Sequence, residues 1–586
     1  MSSQQPSLSP LAVNQRLSIL FLGLMAILPF LVWHHRQPLS TFYPEVTAIS
    51  LGLLSMIWFL HKSSWQHFRL PLSALLPLGL IILMLIQYMA DMHIYWQDYF
   101  LNGLVLAWAA IMLVLGHNID KHRAIPVIAW AMIVGGFVTA FLMVMQLNGW
   151  TEALVVSPHI RGGYAANIGQ VNHAATYVAL ALGSLIYLLT TQRLHIVSYL
   201  VVMVILVAAL VLTGQRMATL YIFSLAVFAP LLLWKLPDVS ISNWWVFLIL
   251  PVFLALDFLL PFLLSDGVNS PIQRVVATAG EESIRVLLIQ QAWQMFTENP
   301  WLGVGFGSFG WQNFEMTEQY PGLTGYADNA HNIVMQLLAE FGIVAGGLFL
   351  LLAAVWITGQ FRKTLTAERC WILFVLGILT LHSLLEYPLW YSYFLGIAAL
   401  VVGMGDPKSV RLPELRLGQP LAAGVMVFSL VILTGVIKQY HEVEGWYTAG
   451  KKSQISDEYA IDFLYMLAER RDNSLFAPFF DVIIIRALPN NEEVANDKLA
   501  MNTQFMKFLP GELEVYIQVD LLVKTDQQEV ASAQLGKAIR QFPEMMDWYW
   551  KSMTRSLLVD RDTRYFPLIQ QLQTYQDSYL GIEDYQ

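Results

Sequence analysis

Long apolar runs separated by short polar ones fill the first three quarters of the chain. A membrane-crossing helix needs roughly 17–25 mostly apolar residues. With that window the runs near 16–33, 45–61, 71–90, 100–116, 124–147, 169–190, 195–213, 217–234 and 244–264 read as spans. A polar stretch, 265–329, follows, and spans resume near 330–357, 371–387, 389–405 and 420–438, thirteen in all. The pair 371–387 and 389–405 also reads as one long kinked helix. From 439 the chain turns polar and acidic, with apolar positions at helical spacing and prolines at 478, 489, 510 and 543. That texture predicts short helical hairpins, and a tetratricopeptide-like array is one reading of them. The expected fold class is all-α: a polytopic membrane helix bundle of about 13 spans, with a large extramembrane loop and a C-terminal soluble helical domain. The expected divisions are membrane helices over 1–264, a loop with short helices over 265–329, membrane helices over 330–438 and a helical domain over 439–586.

Charge orients this arrangement. With the N-terminus inside, Arg16, Lys62, Arg69, Lys121, Arg123, Arg193, Lys235, Arg362, Lys363, Arg369, Lys408, Arg411 and Arg416 lie in inner loops, and only Arg36, Arg161, Arg216, Arg274 and Arg285 in outer ones. Thirteen against five follows the positive-inside rule. Merging the 371–405 pair would move Lys408, Arg411 and Arg416 outside, so charge favours thirteen spans and puts 265–329 and the C-terminus outside. Composition agrees: 13% of residues are charged, against about 25% in soluble domains. The net charge of −9 argues against nucleic acid as the main partner. A single cysteine, Cys370, excludes an internal disulfide framework. The first apolar run lacks a small-residue cleavage site and reads as a retained span.

The outer arginines go against the charge bias, and a charge near a bilayer is costly, roughly 2.5–3.5 kcal/mol at a helix centre and less at the interface. Arg161 opens the run Arg-Gly-Gly-Tyr-Ala-Ala-Asn-Ile-Gly-Gln-Val-Asn-His, Arg216 sits in a tight turn between spans, and Arg285 begins an amphipathic segment after Glu281-Glu282. Guanidinium groups stay charged and grip phosphate bidentately, so together they would suit a pyrophosphate whose lipid lies in the bilayer. Snorkelling or pairing with Glu281 and Glu282 is the plain alternative. Asn167, Gln170, Asn172 and His173 open a span, as cavity-lining polar groups or simple helix caps do.

Within the outer loop, Gly305-Phe306-Gly307-Ser308-Phe309-Gly310 matches the dinucleotide fingerprint only in form. No strand precedes it and no βαβ unit surrounds it. The glycines read as sites of close backbone approach and positive φ. His331, in Asp328-Asn329-Ala330-His331-Asn332, stands at the mouth of an apolar helix that Asp328 or Asn329 could cap. A neutral imidazole there could take a proton from a hydroxyl, or simply make a loop hydrogen bond. His382 and Glu386, in His382-Ser383-Leu384-Leu385-Glu386-Tyr387-Pro388, fall on a short outer turn, where Glu386 could orient His331 or an arginine or form a structural ion pair. Asp560-Arg561-Asp562 matches a metal-binding D-x-D but lies in the polar tail, far from the other candidates. No other acidic pair or histidine cluster has metal-ligand spacing, so no metal and no cofactor are expected.

Three sets of residues carry a resemblance. Asn299-Pro300-Trp301-Leu302-Gly303-Val304-Gly305-Phe306-Gly307, Ala330-His331-Asn332 and Gln336-Leu337-Leu338-Ala339-Glu340-Phe341-Gly342 resemble the membrane core shared by O-antigen ligases and O-antigen polymerases of the Wzy kind. Leu28-Pro29-Phe30 with Pro38-Leu39, Phe42-Tyr43 and Glu45 is similar to the N-terminal signature of bacterial protein O-oligosaccharyltransferases of the PglL type. The stretch from His382 to Trp390 and the tail resemble that branch's C-terminal region. The resemblance implies transfer of a glycan from undecaprenyl pyrophosphate, on the periplasmic side of the inner membrane, to a Ser or Thr hydroxyl of a pilin or other exported protein. It implies that His331, Arg216 and Arg285 are the essential residues, and that neither a metal nor a nucleotide sugar is needed. Arg161, Gln170, Asn172, His173, Asn332, His382, Glu386 and Tyr387 are the expected binding and supporting residues. Two rivals stay open: a ligase or polymerase joining glycan to lipid A core or to glycan, and a transporter of lipid-linked glycans. Transporters place ionisable residues near the midplane, often in inverted repeats, whereas these candidates cluster on one predicted face.

Overall fold

The computed structural model describes residues 10–150, 155–156, 163–236, 241–264, 270–277, 284–413, 416–450 and 457–583. Helices dominate them: α1 Pro10–Met25, α2 Phe42–Ser55, α3 Leu75–Met89, α4 Trp96–Asn118, α5 Lys121–Leu147, α6 Val171–Thr190, α7 Ile196–Leu212, α8 Arg216–Leu233 and α9 Ile249–Leu264. Then come α10 Pro271–Ala277, α11 Ile284–Glu298, α12 Phe309–Glu315, α13 Ile333–Phe361, α14 Ala367–Ser383, α15 Ser392–Gly405 and α16 Gly418–Gly450. The tail holds α17 Asp457–Asp472, α18 Ala477–Ala487, α19 Ala495–Phe508, α20 Glu512–Lys524, α21 Gln528–Gln541, α22 Met546–Leu558 and α23 Phe566–Glu583.

Every one of the thirteen predicted segments falls on a helix. Among the described residues, ten helical stretches are long and apolar enough to cross a membrane. The helices that fall short are α7, α14 and α15; at about 1.5 Å per residue they reach only some 20–25 Å. The doubtful pair is two helices, α14 and α15, joined by a turn around Pro388–Trp390. The last membrane helix runs past the expected boundary at 438, to Gly450.

The chain divides into two compact units. The first comprises Met1–Ile81, Gly103–Glu281 and Gly347–Lys438. At its centre lies α6, whose residues from Val171 to Leu189 are almost all buried. Small residues let neighbours close on it. A Cβ on Gly136 would come within 2.7 Å of the Ala181 Cβ, and one on Gly135 would overlap the Tyr177 hydroxyl. The same hydroxyl donates to the Ala26 carbonyl at 2.6 Å, and the Tyr177 ring stacks on Phe30 at 3.9 Å. Phe30 also meets Tyr393 and Phe394 edge-on. The Leu-Pro-Phe signature is thus a plug between α6 and α15. Glu45 belongs to it: its carboxylate accepts from Thr41 Oγ1 at 2.7 Å and from Ser392 Oγ at 3.1 Å.

One end of this unit is tied by an antiparallel ribbon, β1 Arg69–Pro71 with β2 Ser409–Arg411, in the register Arg69 with Arg411 and Leu70 with Val410. Both strands come from loops predicted to be inner ones.

The second unit comprises Ile82–Asn102, Glu282–Gly346 and Gln439–Gln586. The tail helices pack as successive hairpins around Val515, Val519, Ala531, Leu535 and Leu568. Phe314 of α12 enters the same core. The tail also grips the segment before α4: Tyr95 Oη donates to Asp481 Oδ2 at 2.6 Å, and Arg471 forks onto the same carboxylate. Burial and the Asp481 charge push the Tyr95 phenol well above its usual range.

Candidate active site

In the second unit the break in α13 organises everything around His331. Gly342 has φ +70 and ψ −164 inside an otherwise continuous helix. The carbonyls released there are taken up by the glycine-rich loop. Val304 N–H donates to Ala339 O at 2.8 Å, Gly305 N–H to Glu340 O at 3.2 Å, and Ile343 N–H to Pro300 O at 2.8 Å. The Glu340 side chain, 2% exposed, accepts from the amides of Gly307 at 3.1 Å and Phe309 at 3.4 Å. Gln87 of α3 completes the seam, donating to Leu302 O and Glu340 O at 2.8 Å each and accepting from Phe306 N–H at 3.2 Å. A freed backbone group at membrane depth must be satisfied by protein, and this loop supplies the partners. The sequence demands follow: a Cβ on Gly303 would come within 2.3 Å of the Glu340 carbonyl carbon, and one on Gly342 within 2.4 Å of the Trp301 oxygen. The formal dinucleotide fingerprint is therefore a helix-break cover.

His331 sits just before that broken helix with φ +49 and half-buried. Its amide donates to Asn329 Oδ1 at 2.9 Å, and Asn329 Nδ2 donates to Asp328 Oδ1 at 2.6 Å. Neighbouring Ala330 N–H donates to Gln336 Oε1 at 2.7 Å. The expected cap by Asp328 or Asn329 is not found. Asn332 caps α13, accepting from Val334 and Met335 amides at 3.1 Å each, because Asn329 is held in the turn before it. Those two amides are thereby engaged, and the chemistry offered at this mouth is the imidazole. Arg285 lies in the first turn of α11, as its amphipathic pattern predicts, while Glu281 and Glu282 lie outside the described residues. Leu288, Ala292 and Met295 of α11 pack with Ala330, Ala339 and Met335, so the helix bearing Arg285 braces the segment bearing His331. Beside them a groove of about 600 Å³ is lined by Ile289, Gln290, Trp293, Gln294, Thr297, Tyr320 and Met335. Tyr320 donates to Gln294 Oε1 at 2.9 Å; burial, and then Glu298, raise its phenol above the usual range.

The first unit gathers the other candidates in two places. At the ends of α6 and α14, Gln170 caps α6 by accepting from His173 N–H at 2.8 Å, and Asn172 Nδ2 donates to Glu386 Oε1 at 3.2 Å. His173 Nδ1 bonds Tyr393 Oη at 3.0 Å, and His382 Nδ1 bonds Thr176 Oγ1 at 2.8 Å. The rings of His173 and His382 meet edge-on at 5.6 Å, and Tyr387 stacks on Tyr391, which abuts His173. His382 proves to be in the last turn of α14, not in the outer turn itself. The second place is the turn between α7 and α8. Arg216, exposed, is the first residue of α8. Tyr164 N–H donates to Leu212 O at 3.0 Å, so the segment beginning at Gly163 runs beside this turn. Arg161 itself lies outside the described residues. Arg274 of α10 donates to Gly214 O at 2.8 Å, two residues from Arg216. By sequence Arg274 is only one more outer charge; its contact with the buried Gly214 carbonyl depends on tertiary packing that spacing does not encode.

Asp562 has a structural role. It caps the turn before α23, pairs with Lys524 at 2.9 Å and with Arg564 at 2.9 Å, and Arg564 above all holds its carboxyl far below the usual carboxylate range.

Residues 201–350 match the family model described as O-antigen ligase, and residues 370–552 match that described as virulence factor membrane-bound polymerase, C-terminal. The first match contains Arg216, Arg285 and His331; the second contains His382 and Glu386. The chain is 24% identical over 452 residues to the general O-oligosaccharyltransferase of Acinetobacter baylyi, covering 72% of this chain and 76% of that protein. It is 23% identical over 406 residues to the ComP-specific O-oligosaccharyltransferase of the same organism, covering 67% and 71%.

Proposed function

We propose, from the premise that the chain belongs to the superfamily of O-antigen ligases and O-oligosaccharyltransferases, that it moves a glycan from undecaprenyl pyrophosphate to a Ser or Thr hydroxyl of an exported protein. It is a multi-pass membrane protein and a glycosyltransferase-type enzyme. The observation that carries the finer reading is the fixed place of His331: a half-buried imidazole at the mouth of a broken membrane helix, braced by the helix that carries Arg285.

In this reading the acceptor hydroxyl oxygen attacks the anomeric carbon while the bond to pyrophosphate breaks. His331 takes or positions the hydroxyl proton. Arg216 and Arg285, with Arg161, balance the charge on the departing undecaprenyl pyrophosphate. Asn172, His173, His382, Glu386 and Tyr387 serve as binding and supporting residues, while Gln170 caps α6 and Asn332 caps α13. The tail positions the protein acceptor. The site faces the periplasm, and the membrane is the bacterial inner membrane. A protein acceptor is favoured by the tail, since a lipid acceptor already arrives in the membrane plane.

The test is glycan transfer in cells supplied with a lipid-linked glycan and a pilin acceptor, comparing the native chain with His331→Ala at equal membrane abundance. The reading expects an unmodified acceptor and accumulation of lipid-linked donor. Normal glycosylation by His331→Ala would overturn the assignment. Transfer to lipid A core in place of the pilin would make the chain a ligase.

A further inference from the structure

We propose that the β1–β2 ribbon is a binding site for the phosphate headgroup of an anionic phospholipid. The argument starts from register. Leu72 N–H donates to Lys408 O at 3.0 Å, and Leu412 N–H to Phe68 O at 3.2 Å. Hydrogen-bonded pairs alternate along an antiparallel ladder, so Leu70 with Val410 is also such a pair, and Arg69 with Arg411 is the non-hydrogen-bonded pair between them. At that position opposed Cα atoms approach to about 4.5 Å and side chains leave on one face. Like charges directly opposite each other oppose pairing, yet here two guanidinium groups are set side by side on a ribbon held at the outer edge of β1. Asn118 locks the outer edge of β1, accepting from Arg69 N–H at 3.0 Å and donating to Arg69 O at 2.8 Å.

Among the described residues no carboxylate pairs with Arg69, Arg411 or Lys408. The adjacent Asp406 is buried and directs its oxygens to the amides of Ser73 at 2.8 Å and Lys408 at 2.9 Å. Arg411 Nη2 donates to His67 Nδ1 at 3.1 Å, which makes that nitrogen an acceptor and adds no counter-charge. Lys62, Arg69, Lys408 and Arg411 are all exposed. Two forks in a fixed pair suit a phosphodiester, which each can bind bidentately.

The location selects a lipid over a soluble anion. The ribbon lies between the ends of α2, α3, α15 and α16. Its other face carries Leu70 and Val410, with exposed Lys408 one pair further along that face, and Val410 is 58% exposed. Leu417, just beyond the ribbon, is 76% exposed. Exposed apolar side chains, Val410 and Leu417, set among exposed basic ones match the boundary between acyl chains and headgroups, where each basic side chain adds to attraction for anionic lipid.

The experiment measures phosphatidylglycerol retained by the purified full-length chain in native mass spectrometry, after exchange from mixed phosphatidylglycerol and phosphatidylcholine micelles. Arg69→Gln with Arg411→Gln is expected to weaken the tightest phosphatidylglycerol site roughly tenfold to thirtyfold. Arg16→Gln with Lys235→Gln, the same charge change elsewhere, should leave it intact. Melting temperature of the ribbon variant should equal or exceed that of the native chain, since a like-charge pair is removed. Three results would each overturn the proposal: unchanged retention in the ribbon variant, an equal loss in the control variant, or complete displacement of the lipid by inorganic phosphate.

Discussion

Gln541 of the tail donates from Nε2 to Asn313 Oδ1 at 3.1 Å, and Asn313 in turn donates to Gln291 Oε1 of α11 at 2.8 Å. All three side chains are buried, and Lys537 and Arg540 add ion pairs to Glu315 and Glu318 on either side. The tail is therefore built into the helix that carries Arg285.

Replacing Asn313 by Leu should break this amide chain at its middle. Each buried group left unpaired costs about 1–3 kcal/mol. A lower thermal midpoint and faster proteolysis within 284–330 are expected, with reduced glycan transfer even to a short peptide acceptor. Stability equal to that of the native chain would show that the chain of amides is replaceable by packing.

Gly342→Ala should fail more severely. The position has φ +70, and the added Cβ would lie 2.4 Å from a backbone oxygen, so no side-chain movement relieves it. Backbone strain alone costs about 1–3 kcal/mol. Membrane levels of the variant should fall sharply, while Gly347→Ala, where nothing lies within 4 Å, should be tolerated.

Chemistry and capping at the α13 mouth can be separated. His331→Ala should lower transfer by about 10²–10⁴-fold, the usual worth of a general base, at unchanged abundance. Asn332→Ala should cost about 1 kcal/mol of stability through the lost cap, and Asn332→Asp should restore it. If Asn332→Asp restores stability but not transfer, Asn332 also touches substrate. Arg285→Lys keeps the charge but loses the fork, and a drop of about tenfold or more is expected if phosphate is bound bidentately.

Lys498 gives the tail a pH signature. The side chain is buried, its Nζ donating to Leu488 O and Asn490 Oδ1, and desolvation lowers its pKa to about 8, partly offset by Asp520. Below pH 8 the group is charged in both folded and unfolded chains, and burial of that charge weighs fully against folding. Between pH 8 and about 10 the folded chain releases the proton first, so stability rises with pH. Above that, the phenols of Tyr516, Tyr549 and Tyr565, raised by burial, reverse the trend. Thermal scans of the full chain should show a gain of about 1–3 kcal/mol across the window, absent in Lys498→Met. An identical gain in that variant would assign it elsewhere.

How much of this was legible in the sequence depended on range. The apolar runs gave each helix, because spanning length and hydropathy are local properties. The amphipathic start at Arg285 and the mouth at His331 were legible for the same reason. The seam of Gln87, Leu302 and Glu340 was not, since Gln87 reads as one polar residue in a span and its partners come more than two hundred positions later. A glycine after Glu340-Phe341 within an apolar run was the one available signal of a broken helix. The expected cap failed because Asp328, Asn329 and Asn332 are all capping residues, and only the backbone turn at His331 decides among them. The placement of Arg274 against the Arg216 turn, and of Arg69 opposite Arg411, depends on tertiary register that spacing does not encode.

The broken helix also constrains how the molecule is made. Carbonyls freed near Gly342 have no protein partner until residues 300–305 and Gln87 arrive, and an unsatisfied carbonyl in hydrocarbon costs several kcal/mol. The break is therefore satisfied only with that loop docked, so entry of α13 into the bilayer and its bending are separable events. Assembly then has a late step in which a segment threaded through the membrane long before is captured by the newcomer. Damage to that step would show as a normally inserted chain that never matures.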